Sequence, residues 1–354
     1  EYGENYNIAI KEFEIFVKDF FDKDGFPYSR SPNDLTIFTR YLILCRKIIK
    51  DGQKYVPEFL EEIIEKNLSC YNFIKTPDNQ IPLFNGASVN SLNRLDDFND
   101  NLKIKKKDSK TVIGGIFKAK LKNHEIFFDV GIPPKKNFSK NYQSGPLSFE
   151  YFLDGIKIVT NSGFGNNISR KAELLSRLTG CQSTLTLNDT TVTKFERNKL
   201  VNRVFGNSIK NTFKVNNLDL KNDENIIGCS ASHNGYEKNF GCTYKREIYL
   251  DKKENILKGY DYIFKKKDSI PIRYSFRFHI NPKLTVVKTM SGSGALIQIS
   301  KNKSLLFSVK NEILEIEKSI FLGGKKILDS VCITIAGNLV NKDKSFDWEI
   351  NKNI

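Results

Sequence analysis

Histidine is scarce. The 354 residues hold three, His124, His233 and His279, beside one methionine and one tryptophan. The three fall in separate segments, none two or four positions from another. A multi-histidine metal site is excluded unless folding gathers all three, so no metal is expected. The six cysteines (Cys45, Cys70, Cys181, Cys229, Cys242, Cys332) form no C-x-x-C pair and stand at no zinc-finger spacing to histidine. Cys45 and Cys70 lie in helical apolar patterns and read as small buried hydrophobes. Cys229 and Cys242 flank a candidate hairpin and could pair; the sequence leaves that open, and the compartment with it. No phosphate loop and no G-x-G-x-x-G after a strand is present, so no nucleotide cofactor is expected. No apolar run approaches the roughly 20 residues of a spanning helix. The chain opens at Glu1 inside a helix-like stretch, without a charged-then-apolar leader, and reads as a fragment of a longer one.

Positive charge, by contrast, is abundant. Lys and Arg number 56 against 41 Asp and Glu, a net charge of +15. The excess is spread as Lys among Asn and Asp, with short runs at Lys105–Lys107 and Lys265–Lys267. A basic surface suits polyanions: nucleic acid, anionic lipid or acidic polysaccharide. The plain alternative is solvated lysine in a Lys/Asn/Ile-rich composition. No nucleic-acid module is recognisable, which disfavours nucleic acid. Oligomeric state is not legible.

Length suggests about two domains. Up to residue 76 the apolar period is helical. Its stripes are Ile10, Phe13, Val17, Phe20 and Phe21, then Leu35, Phe38, Leu42, Cys45 and Ile49, then Leu60, Ile63, Ile64, Leu68 and Tyr71. Asp24-Gly25 and Asp51-Gly52 break the pattern, and Pro57 is expected just inside the third helix. These one-sided helices need to pack on one another or on further helices. Residues 77–110, with Pro77, Pro82, Gly86 and mixed charge, read as a connection. From residue 111 the period becomes two. Short strands recur around tight turns, with Asp154-Gly155 the strongest hairpin signal and Thr191–Phe195 among the expected strands. Residues 111–354 therefore read as a large antiparallel sandwich, giving an α+β two-domain fold.

Several short motifs, in order and spacing, resemble the heparinase II/III-like family of polysaccharide lyases, especially its alphaproteobacterial branch. Asp24-Gly25 through Ser31-Pro32 is similar to the family's D-G…S-P turn between toroid helices. Leu83-Phe84-Asn85-Gly86 is similar to its LFNG motif ahead of the sheets. Leu147-Ser148-Phe149-Glu150, followed by Val159-Thr160-Asn161-Ser162-Gly163, resembles its LSFE…VNCG hairpin. Ser183–Leu187 matches the strand after an Ala-His pair, Ser232–Tyr236 resembles SHDGY, and Arg277–Pro282 resembles RFHLHP. The resemblance implies the end of an (α/α) toroid over 1–76, a β-supersandwich over 111–354 and a cleft between them. It implies cleavage of uronate-containing glycans, glycosaminoglycans among them, by β-elimination. There a neutralised carboxylate acidifies the C5 proton, a Tyr or His base removes it, and an acid protonates the leaving oxygen. It also implies departures. Asp34 stands where active members carry Tyr, and Gln143 and Gln182 stand where members carry histidines that serve catalysis or hold a structural zinc. Glutamine hydrogen-bonds but neither titrates near neutrality nor ligates zinc well, so zinc is expected to be absent.

The candidate site is assembled from what remains. His233 and Tyr236 read as base and acid at the cleft rim, or as a hairpin turn in which Asn234-Gly235 supplies positive φ and the Tyr caps the core. Tyr28 could replace the absent tyrosine, or pack. Arg30 could pair bidentately with a uronate carboxylate, or with a neighbouring acid. Asn85 could neutralise a carboxylate or simply form a turn, and Gln143 and Gln182 would hold sugar hydroxyls. His279 reads as a strand-end histidine satisfied by backbone, and His124 as a solvated turn tip. Two functions follow. One is a lyase acting on an acidic glycan; the alternative is a catalytically impaired family member that binds or helps process an anionic surface polysaccharide.

Overall fold

The computed structural model describes residues 2–89, 95, 110–266, 271–340 and 343–352. Three long helices come first: α1 (Tyr2–Phe20), α2 (Pro32–Asp51) and α3 (Glu58–Ile74). Helix α2 starts sharply because the Ser31 hydroxyl accepts the Asp34 amide and Pro32 takes the first helical position. The expected Pro57 instead sits one residue outside α3, as its cap. Each stripe buries unequally. In α3 all five expected residues are buried, whereas the first stripe buries only Val17 and Phe21, and α1 leaves Ile8, Ile15 and Phe16 in water. Helix α2 likewise exposes Tyr41, Leu44 and Ile48.

Strands follow in chain order: β1 (Val112–Ile113), β2 (Ile116–Leu121), β3 (His124–Asp129), β4 (Phe149–Leu153), β5 (Ile156–Thr160), β6 (Leu185–Leu187), β7 (Val215–Asn222), β8 (Ile226–His233) and β9 (Cys242–Asp251). Then come β10 (Ile256–Lys265), β11 (Ile272–Ile280), β12 (Thr285–Lys288), β13 (Gly294–Ser300), β14 (Lys303–Val309), β15 (Glu315–Phe321), β16 (Leu328–Leu339) and β17 (Lys344–Lys352). Short helices α4 (Arg170–Ser176), α5 (Lys199–Phe205) and α6 (Glu237–Phe240) interrupt them. A nine-stranded antiparallel sheet runs β1-β2-β3-β4-β5-β11-β16-β15, with β6 beside β11. An eight-stranded one runs β12-β13-β14-β17-β10-β9-β8-β7. The expected helices-then-sandwich architecture is what is observed.

The nine-stranded sheet is covered on both faces. Strands β3 and β4 are therefore buried at every position, and their polar residues His124, Glu125, Asp129 and Glu150 are met by protein partners rather than by solvent. Phe128, Phe149 and Tyr151 face the other sheet, while Phe127 and Phe152 face the helices. Between the sheets Trp348 lies against Phe149 and Phe307, beside a fully buried ion pair of Arg246 with Asp261 (2.7 Å).

Three expectations are corrected and one open pairing is answered. Thr191–Phe195 is not a strand; only Phe195 bridges, to Ile209. His124 is not solvated but 2% exposed, its ring nitrogens 2.8 Å from the Tyr151 hydroxyl and 3.1 Å from the Asn255 amide, because the β9–β10 turn that carries Asn255 closes over it. Cys229 and Cys242 are both free thiols. Asn234 and Gly235 do not take positive φ; they lead into α6. The Asp154-Gly155 hairpin does form as expected, with φ of 52° and 79°. The run Lys105–Lys107, Lys267 and most of the 77–110 connection lie outside the described residues.

Candidate functional site

The motif residues converge where the helices meet the nine-stranded sheet. Arg30 follows the α1–α2 turn at φ 58°, and its side chain enters the corner between β1–β2 and the end of β3. There Nε donates to the Gly114 carbonyl (3.0 Å), Nη1 to Ile132 (3.0 Å) and Nη2 to Gly115 (3.2 Å), and the Asp129 carboxylate closes an ion pair. A Cβ at Gly131 would stand 2.3 Å from the guanidinium carbon, so any side chain there would displace Arg30. Burial raises the Asp129 carboxyl pKa and Arg30 opposes it. With its donors occupied by the fold, Arg30 is corrected from a substrate clamp to a rivet.

The amides behave alike. Asn85, at φ 49°, donates to the Arg30 carbonyl (3.3 Å). The Gln143 carbonyl oxygen accepts the Gly86 amide (3.0 Å), and its nitrogen donates to Gly163 (3.3 Å) and Ser176 (2.9 Å). Gln182 donates to the same Ser176 carbonyl (2.8 Å). All three amides are buried, so they hold the connection, the β5 end and α4 together. The expectations that Gln143 and Gln182 hold sugar hydroxyls and that Asn85 neutralises a carboxylate are corrected accordingly.

His233 and Tyr236 are adjacent, as expected, with ring centres 5.6 Å apart, but between the sheets rather than at a rim. The His233 ring is 0% exposed and also packs on Phe213 and Tyr244. Its Nδ1 accepts the Gly235 amide (3.1 Å), which assigns the proton to Nε2. Burial pushes its pKa down to about 3. The Tyr236 hydroxyl donates to the Leu185 carbonyl (2.7 Å), and burial raises its pKa. Neither meets solvent, so the expected base and acid are corrected to packing residues. His279 is satisfied as expected, by the Gly180 carbonyl (3.0 Å) and the Ser319 hydroxyl (3.0 Å).

Two groups remain available. Tyr28 is 44% exposed, its ring 5.8 Å from Phe138. Asp34, counted in the sequence only as an absent tyrosine, accepts the Ser29 hydroxyl (2.6 Å) in the first turn of α2. Burial raises its pKa, against the pull of Ser29, Ser31 and Lys140. The signal for Asp34 was the Ser-Pro-Asn-Asp spacing of a capped helix, which sets a carboxylate against a helix N-terminus. Among the described residues, no group of three His, Cys, Asp or Glu is placed to hold a metal ion.

The family profile described as Heparinase II/III-like, C-terminal, matches residues 105–349. This chain belongs to the heparinase II/III-like family. Its fold matches the heparan sulfate lyase HepC from Pedobacter heparinus at TM-score 0.73 and 13% identity, covering 96% of this chain and 54% of that one. A heparinase III recorded as the BT4657 gene product matches at TM-score 0.72 and 13% identity, over 98% of this chain and 55% of the other. A further heparinase III matches at TM-score 0.72 and 12% identity, over 95% and 55%. The heparinase II/III-like chain thus spans about half the length of the solved structures it matches. No curated protein matches the sequence. Among the described residues no helix is long and apolar enough to cross a membrane.

Proposed function

We propose that this heparinase II/III-like chain takes an acidic, uronate-containing polysaccharide against the face around Tyr28, and that it binds without supplying its own proton-transfer pair. The supporting observation is the engagement of Arg30, Asn85, Gln143 and Gln182 in the fold, with His233 and Tyr236 enclosed. Tyr28 offers an exposed ring on a chain whose net charge is +15. Residues 1–76 are the end of a toroid, 77–110 a connection and 111–354 the sandwich. The exposed apolar positions of α1 and α2 favour further helices packing there.

A second reading is the lyase itself. It draws on Asp34, whose raised carboxyl pKa suits an acid, and on the Tyr28 hydroxyl as base, with the carboxylate-neutralising group supplied from outside this chain. Incubation of the full chain with heparan, chondroitin, hyaluronan and alginate types separates the two. β-Elimination leaves a C4–C5 double bond that absorbs in the ultraviolet. The expected result is salt-sensitive binding, weakened by Tyr28→Ala, with flat absorbance. Rising absorbance on any polymer overturns the binding-only reading, and absence of binding to all four overturns both.

A further inference from the structure

The outer face of the eight-stranded sheet breaks the usual rule for a solvated strand. Strand β10 alternates, with Leu257, Gly259, Asp261 and Ile263 inward. Its outward positions carry Lys258, then Tyr260, Tyr262 and Phe264 in succession, where polar residues are the norm. Phe264 is exposed and the two tyrosines half-buried. The rings of Tyr262 and Phe264 are parallel within 2°, with centres 6.0 Å apart. Beside Tyr260 a groove of about 290 Å³ crosses β10, β17 and β14, bordered by Lys258, Ser308, Lys310, Asp347 and Glu349.

We infer that this aromatic row and groove form a second glycan-binding surface, one that takes a neutral polyhydroxylated chain. Pyranose rings present an apolar C–H face to aromatic rings and hydroxyls at their edges. The groove supplies partners for those hydroxyls. Asp347 lies directly across from Tyr260 and makes no side-chain hydrogen bond among the described residues, and Glu349 lies across from Lys258. The charge selects against an acidic chain. Lys258 is already neutralised by Asp251 (3.0 Å) and Glu254 (2.6 Å), and Lys245, over the Tyr262 ring, by Glu247 (2.5 Å). A uronate entering the groove would meet two carboxylates and find only Lys310 without an ion pair among the described residues. This surface points away from the nine-stranded sheet and so is separate from the face around Tyr28.

The test is electrophoresis of the full chain through native gels cast with xylan, galactomannan or hydroxyethylcellulose, with heparin and alginate gels as acidic comparators. At least one neutral polymer should retard the protein. Tyr262→Ala with Phe264→Ala should weaken that retardation at least about tenfold, the scale of losing two stacked rings. Asp347→Ala, which touches no core group, should weaken it too, while Tyr28→Ala leaves it unchanged. No retardation by any neutral polymer, or retardation indifferent to the ring and Asp347 variants, overturns the inference. Loss of retardation only in the acidic gels overturns the assignment to a neutral chain. Failure of Tyr28→Ala to affect acidic binding would sink the Tyr28 reading while leaving this one standing.

Discussion

The two interfaces of the nine-stranded sheet both carry an apolar cluster but place their polar groups differently. Toward the other sheet lies an aromatic layer with a single charged knot. Asp261 accepts from Arg246, Trp348 Nε1 (2.7 Å) and the Tyr244 hydroxyl, while Arg246 also reaches the Leu147 (3.0 Å) and Ser183 (2.7 Å) carbonyls. Toward the helices lies a polar seam in which Arg30, Asn85, Gln143, Gln182 and Glu150 each join two segments by hydrogen bonds to backbone or to an opposite charge. Glu150 shows the seam's logic. Its carboxylate takes the Lys157 ammonium (2.8 Å), the Thr160 hydroxyl (2.9 Å) and the Leu83 amide (3.2 Å), leaving no unmet buried charge. The lesson is that a polar motif is not by itself a site. Here the polar residues most reminiscent of chemistry hold irregular backbone against a sheet.

The largest expected effect comes from breaking the knot. Asp261→Ala strands a buried guanidinium, an indole N–H and a phenol together, and should cost about 3–5 kcal/mol in urea unfolding. Arg30→Met strands Asp129, whose carboxyl can take up a proton, and removes a donor from the Gly114, Gly115 and Ile132 carbonyls, of which Gly115 keeps the Val130 amide, so a smaller loss of about 2–3 kcal/mol is expected. If Arg30→Met is the more damaging of the two, the ordering of the interfaces is reversed.

Acid sharpens the contrast. Burial lowers His233 from 6.5 to about 3 and His279 from 6.5 to about 4, so below pH 6.5 the unfolded chain binds protons that the folded chain does not. Their contribution is complete above about 6.5 and is lost as pH falls, by about 1.4 kcal/mol per pH unit for each histidine. Asp129 and Asp34, raised by burial, act in the opposite sense: the folded chain takes their protons more readily. His233→Leu should therefore flatten the stability profile between pH 6 and 4 in proportion to one proton. An unchanged slope would place the acid sensitivity elsewhere. The smallest effect is expected for Gln182→Ala, about 1 kcal/mol, because Gln143 still serves the Ser176 carbonyl. A loss as large as that of Arg30→Met would mean the seam fails as one network.

Much of the fold was legible in the sequence because its signals are local. The three stripes, the Asp154-Gly155 turn and the change from a helical to a two-residue period each depend on neighbours a few positions apart. The site was less so. His124 looked like a turn tip because nothing local reveals that Asn255 closes over it. His233 beside Asn-Gly looked like an exposed hairpin because its burial is set by Phe213 and Tyr244 from other segments. Arg30 reads as a possible ion-pair partner, yet its acid, Asp129, lies 99 residues away, beyond the reach of sequence spacing.

That long reach has a kinetic consequence. Arg30 and Asp129 are 99 residues apart, and the socket for the guanidinium exists only once the β1–β2 turn and the end of β3 have come together. Closing so long a loop is costly until the socket is there to repay it, so this contact can form only once the sheet corner has formed. The arginine is in that sense a latch: it ties the helices to a sheet that must already be in place.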